Sequence, residues 1–179
     1  MPLSESEAWA LFHEAGCPAW VEAHVQLVHG VAVAMATKLQ ERGVNVDGAL
    51  VSVGAILHDV GRAQTQDPTH AHLGANWLRA QGVHDLVVHI VERHTGAGLL
   101  PEEASALGLP PGGYVPVTLE EKVVAHADNL CSGPKRVGMD FLERKYRAQN
   151  LMEPFRRIEA LHEELSVLLG MDAELTTSS

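Results

Sequence analysis

Apolar residues return at helical spacing along nearly the whole chain. From Ser4, with Glu7 at the capping-box offset, Trp9, Leu11 and Phe12 lead to a stop at Gly16, which predicts a short helix. Pro18 stands where a first helical turn tolerates proline. Val21, Val25, Val28, Ala32, Ala36 and Leu39 then recur at three- and four-residue steps as far as Gly43, the mark of a long amphipathic helix. His29 follows Val28 and precedes Ala32 by about one turn, so it projects into or beside the buried stripe.

Asp47 can cap the next helix, whose Leu50, Val51, Gly54, Ile56 and Leu57 run into His58-Asp59-Val60-Gly61. A polar loop from Arg62 to Thr69, broken by Pro68, precedes a helix that begins near His70 to His72 and ends at Gly82. Another holds Leu86, Val87, Ile90 and Val91 and stops around His94-Thr95-Gly96. From Leu99 to Pro116 the chain is richer in Pro and Gly, with one helical turn at Pro101 to Leu107, and reads as a loop or lid. Thr118 and Glu121 repeat the capping-box spacing and open a helix that carries Asp128. After Gly133-Pro134, helical patterns cover Met139 to Asn150 and Glu153 to Leu169, and the tail after Gly170 reads as frayed.

No segment alternates with period two, so no sheet is expected, and no internal repeat is present. The reading is all-α: one helical bundle over 1–179, with a helical C-terminal extension at 138–170. Bundle cores build metal sites from side chains on facing helices. The last long helix can pack on its own core or on a second copy, so a homo-oligomer is an open possibility.

Composition adds three constraints. Against 13 basic residues stand 23 acidic ones, a formal net charge of −10, which argues against a duplex nucleic acid partner. Two cysteines, Cys17 and Cys131, are too few for a disulfide framework and read as small buried apolar residues. The first residues lack the pattern of a signal peptide and no apolar run is long enough for a membrane span, so a cytoplasmic protein without a membrane partner is expected. The few Trp, Tyr and Phe residues read as core or lid contacts rather than a base-stacking platform.

Histidine is the anomaly, at 11 residues. His29, the pair His58-Asp59, and Asp128 come from three helices, each near an apolar stripe or a helix end. Imidazole and carboxylate together suit zinc, iron, manganese or cobalt. His13, His24 and His162 sit in ordinary helical segments and read as exposed or supporting. His126 lies about 200° around its helix from Asp128, so the two cannot face one ion.

A histidine, then His-Asp, then a distant aspartate on a later helix resembles the HD superfamily of metal-dependent phosphohydrolases, and His58-Asp59-Val60-Gly61 is close to its HDIG form. The resemblance spans roughly Val28 to Asp128. His72-Leu73-Gly74-Ala75, Glu92-Arg93-His94-Thr95-Gly96 and Ala125-His126-Ala127-Asp128 are similar to extra motifs of two-metal members such as the symmetrical diadenosine tetraphosphatases. The run from Val91 through Asn129 looks most like a group of small HDIG-type proteins.

The resemblance implies that His29, His58, Asp59 and Asp128 are core ligands. It adds His72 and His94 as ligands of a second ion, bridged by Asp59. His70 competes with His72, which is preferred because Gly74-Ala75 follows it. One or two divalent transition ions are implied, with Fe, Mn, Co or Ni favoured and Zn or Mg possible. The implied reaction is hydrolysis of a small nucleotide, dinucleoside polyphosphate or cyclic phosphate by metal-activated water, with Asp59, His72, His94 and Arg62 in the catalytic set. Arg62 and Arg93 are the cations nearest the motifs, and Lys135 and Arg136 can reach a polyanion over the site. Two other classes stay open: a di-iron oxygenase, and a non-catalytic nucleotide-binding module.

Overall fold

A computed structural model describes residues 3–176 of the chain, and among these the architecture is all-α. Helix α1 (Glu5–Glu14) opens on a complete capping box: Glu7 N donates to Ser4 Oγ at 3.3 Å, and Ser4 N donates to Glu7 Oε2 at 2.8 Å. Two otherwise orphaned donors are satisfied by four residues. Helix α2 (Ala19–Glu41) starts after Pro18 and buries Val21, Val25, Val28, Val31, Ala32 and Met35. Asp47 caps α3 (Gly48–Leu57) by accepting from Leu50 N at 3.0 Å.

Every residue of α3 from Val51 to Leu57 is buried. One apolar core takes its Val51 and Ala55 together with α2, α7 (Leu119–Asn129) and α9 (Met152–Leu169). A second takes Val53, Ile56 and Leu57 together with α1, α4 (His70–Ala80) and α5 (Asp85–Arg93). Each such Val, Leu or Ile contributes about 1.5–3 kcal/mol on burial, so α3 is the fixed axis of the molecule. Whatever follows Leu57 is therefore held rigidly.

Two glycine contacts set how closely the neighbours approach. A Cβ on Gly54 would fall 2.6 Å from Ile90, which lets α5 settle on α3. A Cβ on Gly61 would fall 1.9 Å from the His70 carbonyl oxygen and 2.7 Å from Gly74 N. The start of α4 is thus pressed against the single 3-10 turn at Val60–Ala63 that follows His58-Asp59.

Helix α6 (Pro101–Ala106) lies in the Pro/Gly-rich segment and is tied to α9 by Arg157, whose Nη2 meets both Glu103 carboxylate oxygens at 2.7 and 2.8 Å. Thr118 caps α7 through Glu121 N. A turn at Gly133, with φ of +54°, joins two-residue strands β1 (Cys131–Ser132) and β2 (Lys135–Arg136), which pair antiparallel. The sequence reading expected no strand, because two residues are too few to show an alternation. Helix α8 (Met139–Ala148) follows, and α9 buries Phe155, Ile158, Leu161, Leu165 and Leu169 on its own chain.

The tail is also a correction. Beyond Gly170 the chain is ordered to residue 176, with Ala173 and Thr176 buried. Arg136 donates to the carbonyls of Glu174 and Thr176, and the Glu174 carboxylate accepts from Met139 N at 2.7 Å. Residues 177–179 of that expected tail lie outside the described part. Among the described residues, no helix is long and apolar enough to cross a membrane.

Candidate metal centre

Beyond Leu57 the backbone leaves α3, and His58 and Asp59 turn into a space where four other helices converge. His24 comes from α2, His70 from the first turn of α4, His94 from the end of α5, and Asp128 from the end of α7. Their ligand-type atoms fall into three overlapping groups, each within 4.8 Å: His24, His58 and Asp59; His58, His94 and Asp128; and Asp59, His70 and His94. Asp59 is shared by two of these groups. The four histidines and Asp59 are all buried, and the Asp128 side chain is 22% exposed.

The imidazoles are oriented in one way. His24 Nδ1 faces Gly133 O at 3.0 Å, His58 Nδ1 faces Ala55 O at 2.7 Å, His70 Nδ1 faces Asp67 O at 2.9 Å, and His94 Nδ1 faces Val91 O at 2.7 Å. A carbonyl only accepts, so each Nδ1 carries the hydrogen, and a neutral ring then presents the lone pair of Nε2 inward. Backbone anchoring of the outer nitrogen is the usual way a metal-ligating histidine is fixed in tautomer and direction.

Inward, the groups meet as acceptors. His70 Nε2 and His94 Nε2 are 3.2 Å apart, Asp59 Oδ1 is 3.0 Å from His70 Nε2 and 3.5 Å from His94 Nε2, and His58 Nε2 is 3.6 Å from Asp128 Oδ1. His58 Nε2 and Asp59 Oδ1 are buried with no hydrogen-bond partner. Buried polar atoms rarely stay unpaired, and several acceptors around one small space call for a cation. The residues fit a divalent ion, and nitrogen with carboxylate oxygen suits the transition metals.

The electrostatics agree. Burial disfavours a charged His24, yet Asp128 and Asp59 outweigh it and lift His24 to about 9. Burial pushes Asp59 upward, but His58, His70 and His94 hold it well below the usual carboxylate range. Asp128 is held low in the same way by His24 and His58. His94 is driven down chiefly by burial. The pocket is a fixed negative charge that positive charge stabilises.

Two expected residues are elsewhere. His29 Nε2 hydrogen-bonds Ser52 Oγ at 2.8 Å beside Glu5, because five helical residues turn it about 140° from His24. His72 Nδ1 pairs with Glu92 at 3.2 Å and its Nε2 meets Asn76 Nδ2 at 2.9 Å, about 200° around α4 from His70. The positions expected of His29 and His72 are taken by His24 and His70. His24 was read as exposed or supporting, but it is buried on the stripe of Val21 and Val28, at offsets of three and four, and that spacing was the available signal. His58, Asp59, His94 and Asp128 are brought together.

The cations divide as well. Arg62 Nε donates to Asp59 Oδ2 at 3.0 Å, and Arg62 lines a cleft of about 370 Å3 into which His24, Asp59 and Asp128 open. Arg93 is not on it: its Nη1 pairs with the buried Glu121 at 3.0 Å, where an unpaired carboxylate would be costly. Arg136 is spent on the tail carbonyls, and Lys135, exposed on β2 opposite the lining residue Ser132, does not itself line the cleft. Lys145 of α8, not singled out from sequence, does line the cleft. Nor do residues 99–116 cover it: Leu99, Glu103, Ala106 and Leu107 line an adjoining cavity of about 450 Å3 that shares Thr95, Gly96, Lys145 and Tyr146 with the cleft.

Comparison with known proteins places this geometry. The HD domain family model matches residues 21–133, a span that holds all six clustered residues. A tRNA (cytidine(56)-2'-O)-methyltransferase of Thermoplasma volcanium is 46% identical over 164 residues, covering 92% of this chain and 47% of that protein. An uncharacterized protein of Methanocaldococcus jannaschii is 43% identical over 155 residues, covering 86% of this chain and 92% of its own length. The chain thus spans about half the length of the methyltransferase and nearly all of the second protein. The HD domain of the L. monocytogenes phosphodiesterase PgpH, solved in complex with cyclic-di-AMP, superposes with a TM-score of 0.54 at 17% identity, covering 90% of this chain and 96% of that one, a likeness of fold.

Proposed function

Because the chain belongs to the HD domain family, we propose that it is a metal-dependent phosphohydrolase acting on a small nucleotide, dinucleoside polyphosphate or cyclic phosphate. The observation that carries this reading is the set of four imidazoles, each tethered by Nδ1 to a backbone carbonyl, whose Nε2 atoms converge with two carboxylates. His24, His58, Asp59 and Asp128 would hold one ion, and Asp59, His70 and His94 a second. A divalent transition ion there makes water a nucleophile near neutral pH and offsets charge on phosphate oxygens.

The chain's own groups supply the rest. Arg62 is steered by Asp59 and by Gln66 O, which leaves its Nη2 without a hydrogen bond among the described residues and available to a phosphate oxygen. Lys145 lines the same cleft and has no ion pair among the described residues, so it adds a second point charge. Two cations and the metals suit a short anion, whereas a long polyanion needs several neutralising contacts that a chain of net charge −10 lacks.

A second reading places the phosphate at the end of an RNA strand. It is favoured by the 46% identity to about half of a protein named for tRNA modification. Hydrolysis of mononucleotides, dinucleoside polyphosphates, cyclic dinucleotides and short oligoribonucleotides, with the products resolved by chromatography, separates the two. A higher kcat/KM on the small compounds supports the first reading, and a higher value on the oligonucleotide the second.

A further inference from the structure

Aromatic residues make up only 4% of the chain, yet Trp20, Phe141 and Tyr146 all line the cleft that holds the metal cluster. Trp20 is 53% exposed and Phe141 38% exposed, although indole and phenyl rings lose most by facing water. Single exposed apolar residues are ordinary; two aromatic rings bordering one charged cleft are a different matter.

Their placement follows helical spacing. Trp20 precedes His24 by four residues on α2, so it stands one turn above a clustered histidine on the same face. Phe141 precedes Lys145 by four residues on α8, so it stands one turn away, on the same face, from an ammonium with no ion pair among the described residues. The cleft is thus bordered by two helices, each offering an aromatic ring one turn from a polar group that faces phosphate chemistry. Helix α8 lies outside residues 21–133 that the family model matches, and Trp20 lies just before them.

We propose that Trp20 and Phe141 form a nucleobase-stacking mouth, so that the preferred substrate is a nucleotide whose base rests on these rings while its phosphate lies between Arg62, Lys145 and the metal cluster. The proposal rests on the phosphohydrolase reading for the position of the phosphate. Stacking accepts any base, because every base has a π face, and it leaves sugar phosphates without a base at a disadvantage. The sequence reading took these aromatics for core or lid contacts; the structure puts them in neither place.

The test uses the full chain and the 5′-phosphonate analogues of AMP and of ribose 5-phosphate, whose C–P bond resists hydrolysis. The AMP analogue is expected to quench tryptophan fluorescence saturably, and the ribose analogue to bind at least about tenfold more weakly. Trp20→Ala should abolish the quench; by titration calorimetry, Trp20→Ala and Phe141→Ala should each weaken binding about tenfold and Trp20→Phe should restore affinity, all with unchanged metal content. Equal affinity for the two analogues, or wild-type affinity for the AMP analogue in both alanine variants, overturns the proposal. So does a quench that tracks protein concentration, which assigns the rings to a self-association face. Stacking without hydrolysis of any phosphate would keep the mouth and remove the phosphohydrolase reading. Equal turnover of nucleotides and sugar phosphates would do the reverse.

Discussion

His24 Nε2 lies 2.9 Å from Asp128 Oδ1, across 104 residues of sequence, and the pair closes one side of the cluster that His58 and Asp59 begin. His29, on the same helix, is turned toward Ser52 and Glu5. Replacing His24 by Ala is therefore expected to reduce bound metal sharply, since losing one inward ligand or its orientation costs about 10- to 100-fold in affinity. His29→Ala should keep its metal. Elemental analysis of both variants checks this, and metal loss confined to His29→Ala would reverse the assignment.

A matching contrast concerns the second group. His70→Ala is expected to lower metal content from about two ions per chain toward one, with a large loss of hydrolysis, because His70 and His94 share Asp59. His72→Ala removes hydrogen bonds to Glu92 and Asn76 and a ring contact with Tyr114, all outside the cluster, and should retain both ions. A wild-type chain that saturates at a single ion would retire the second site and leave the first.

Gly61 carries a steric prediction. A methyl there would strike the His70 carbonyl at 1.9 Å, and the struck atom is backbone that cannot step aside. Gly61→Ala is expected to cost about 3 kcal/mol in urea unfolding and to weaken metal binding by displacing His70. Unchanged stability would show that α4 does not sit where it is described.

The caps and helices were legible because their determinants are local. Ser4 with Glu7, Asp47 before Leu50, and Thr118 with Glu121 each satisfy a backbone donor within four residues. His58, Asp59, His94 and Asp128 were legible as a set through motif spacing. His24 is also readable in part, since Val21 and Val28 define its face, but His29 lies beside Val28 and about one turn before Ala32 and so reads equally as bordering the buried stripe. His70 and Lys145 depend on tertiary placement: the contact of Gly61 with the start of α4, and the direction α8 takes after the β1–β2 turn. No local pattern holds that information.

Acid should loosen α6. Burial works to raise Glu103, but Arg157 and the Leu100 N–H outweigh it and hold its carboxyl below its ordinary 4.5. A depressed folded value means the stabilisation is fully present above 4.5 and is lost as pH falls through the lower folded value. Amide protection factors at Ala104, Leu107 and Gly108 are expected to drop in that acid window, and Glu103→Gln should cause a modest loss already at neutral pH, about 1 kcal/mol or less for a partly exposed pair. Constant protection across the window would show that this ion pair does not hold the helix.

The most direct test of the whole account is hydrolysis of a nucleotide panel by metal-stripped protein, with products resolved by chromatography while manganese, iron or cobalt is added back in measured amounts. The account expects no turnover in the stripped chain, a rise that saturates at one or two ions per chain, and no rise in Asp59→Ala, whose carboxylate belongs to two of the three ligand groups. Turnover that ignores the added metal, or full metal uptake with no hydrolysis of any phosphate compound, would contradict it.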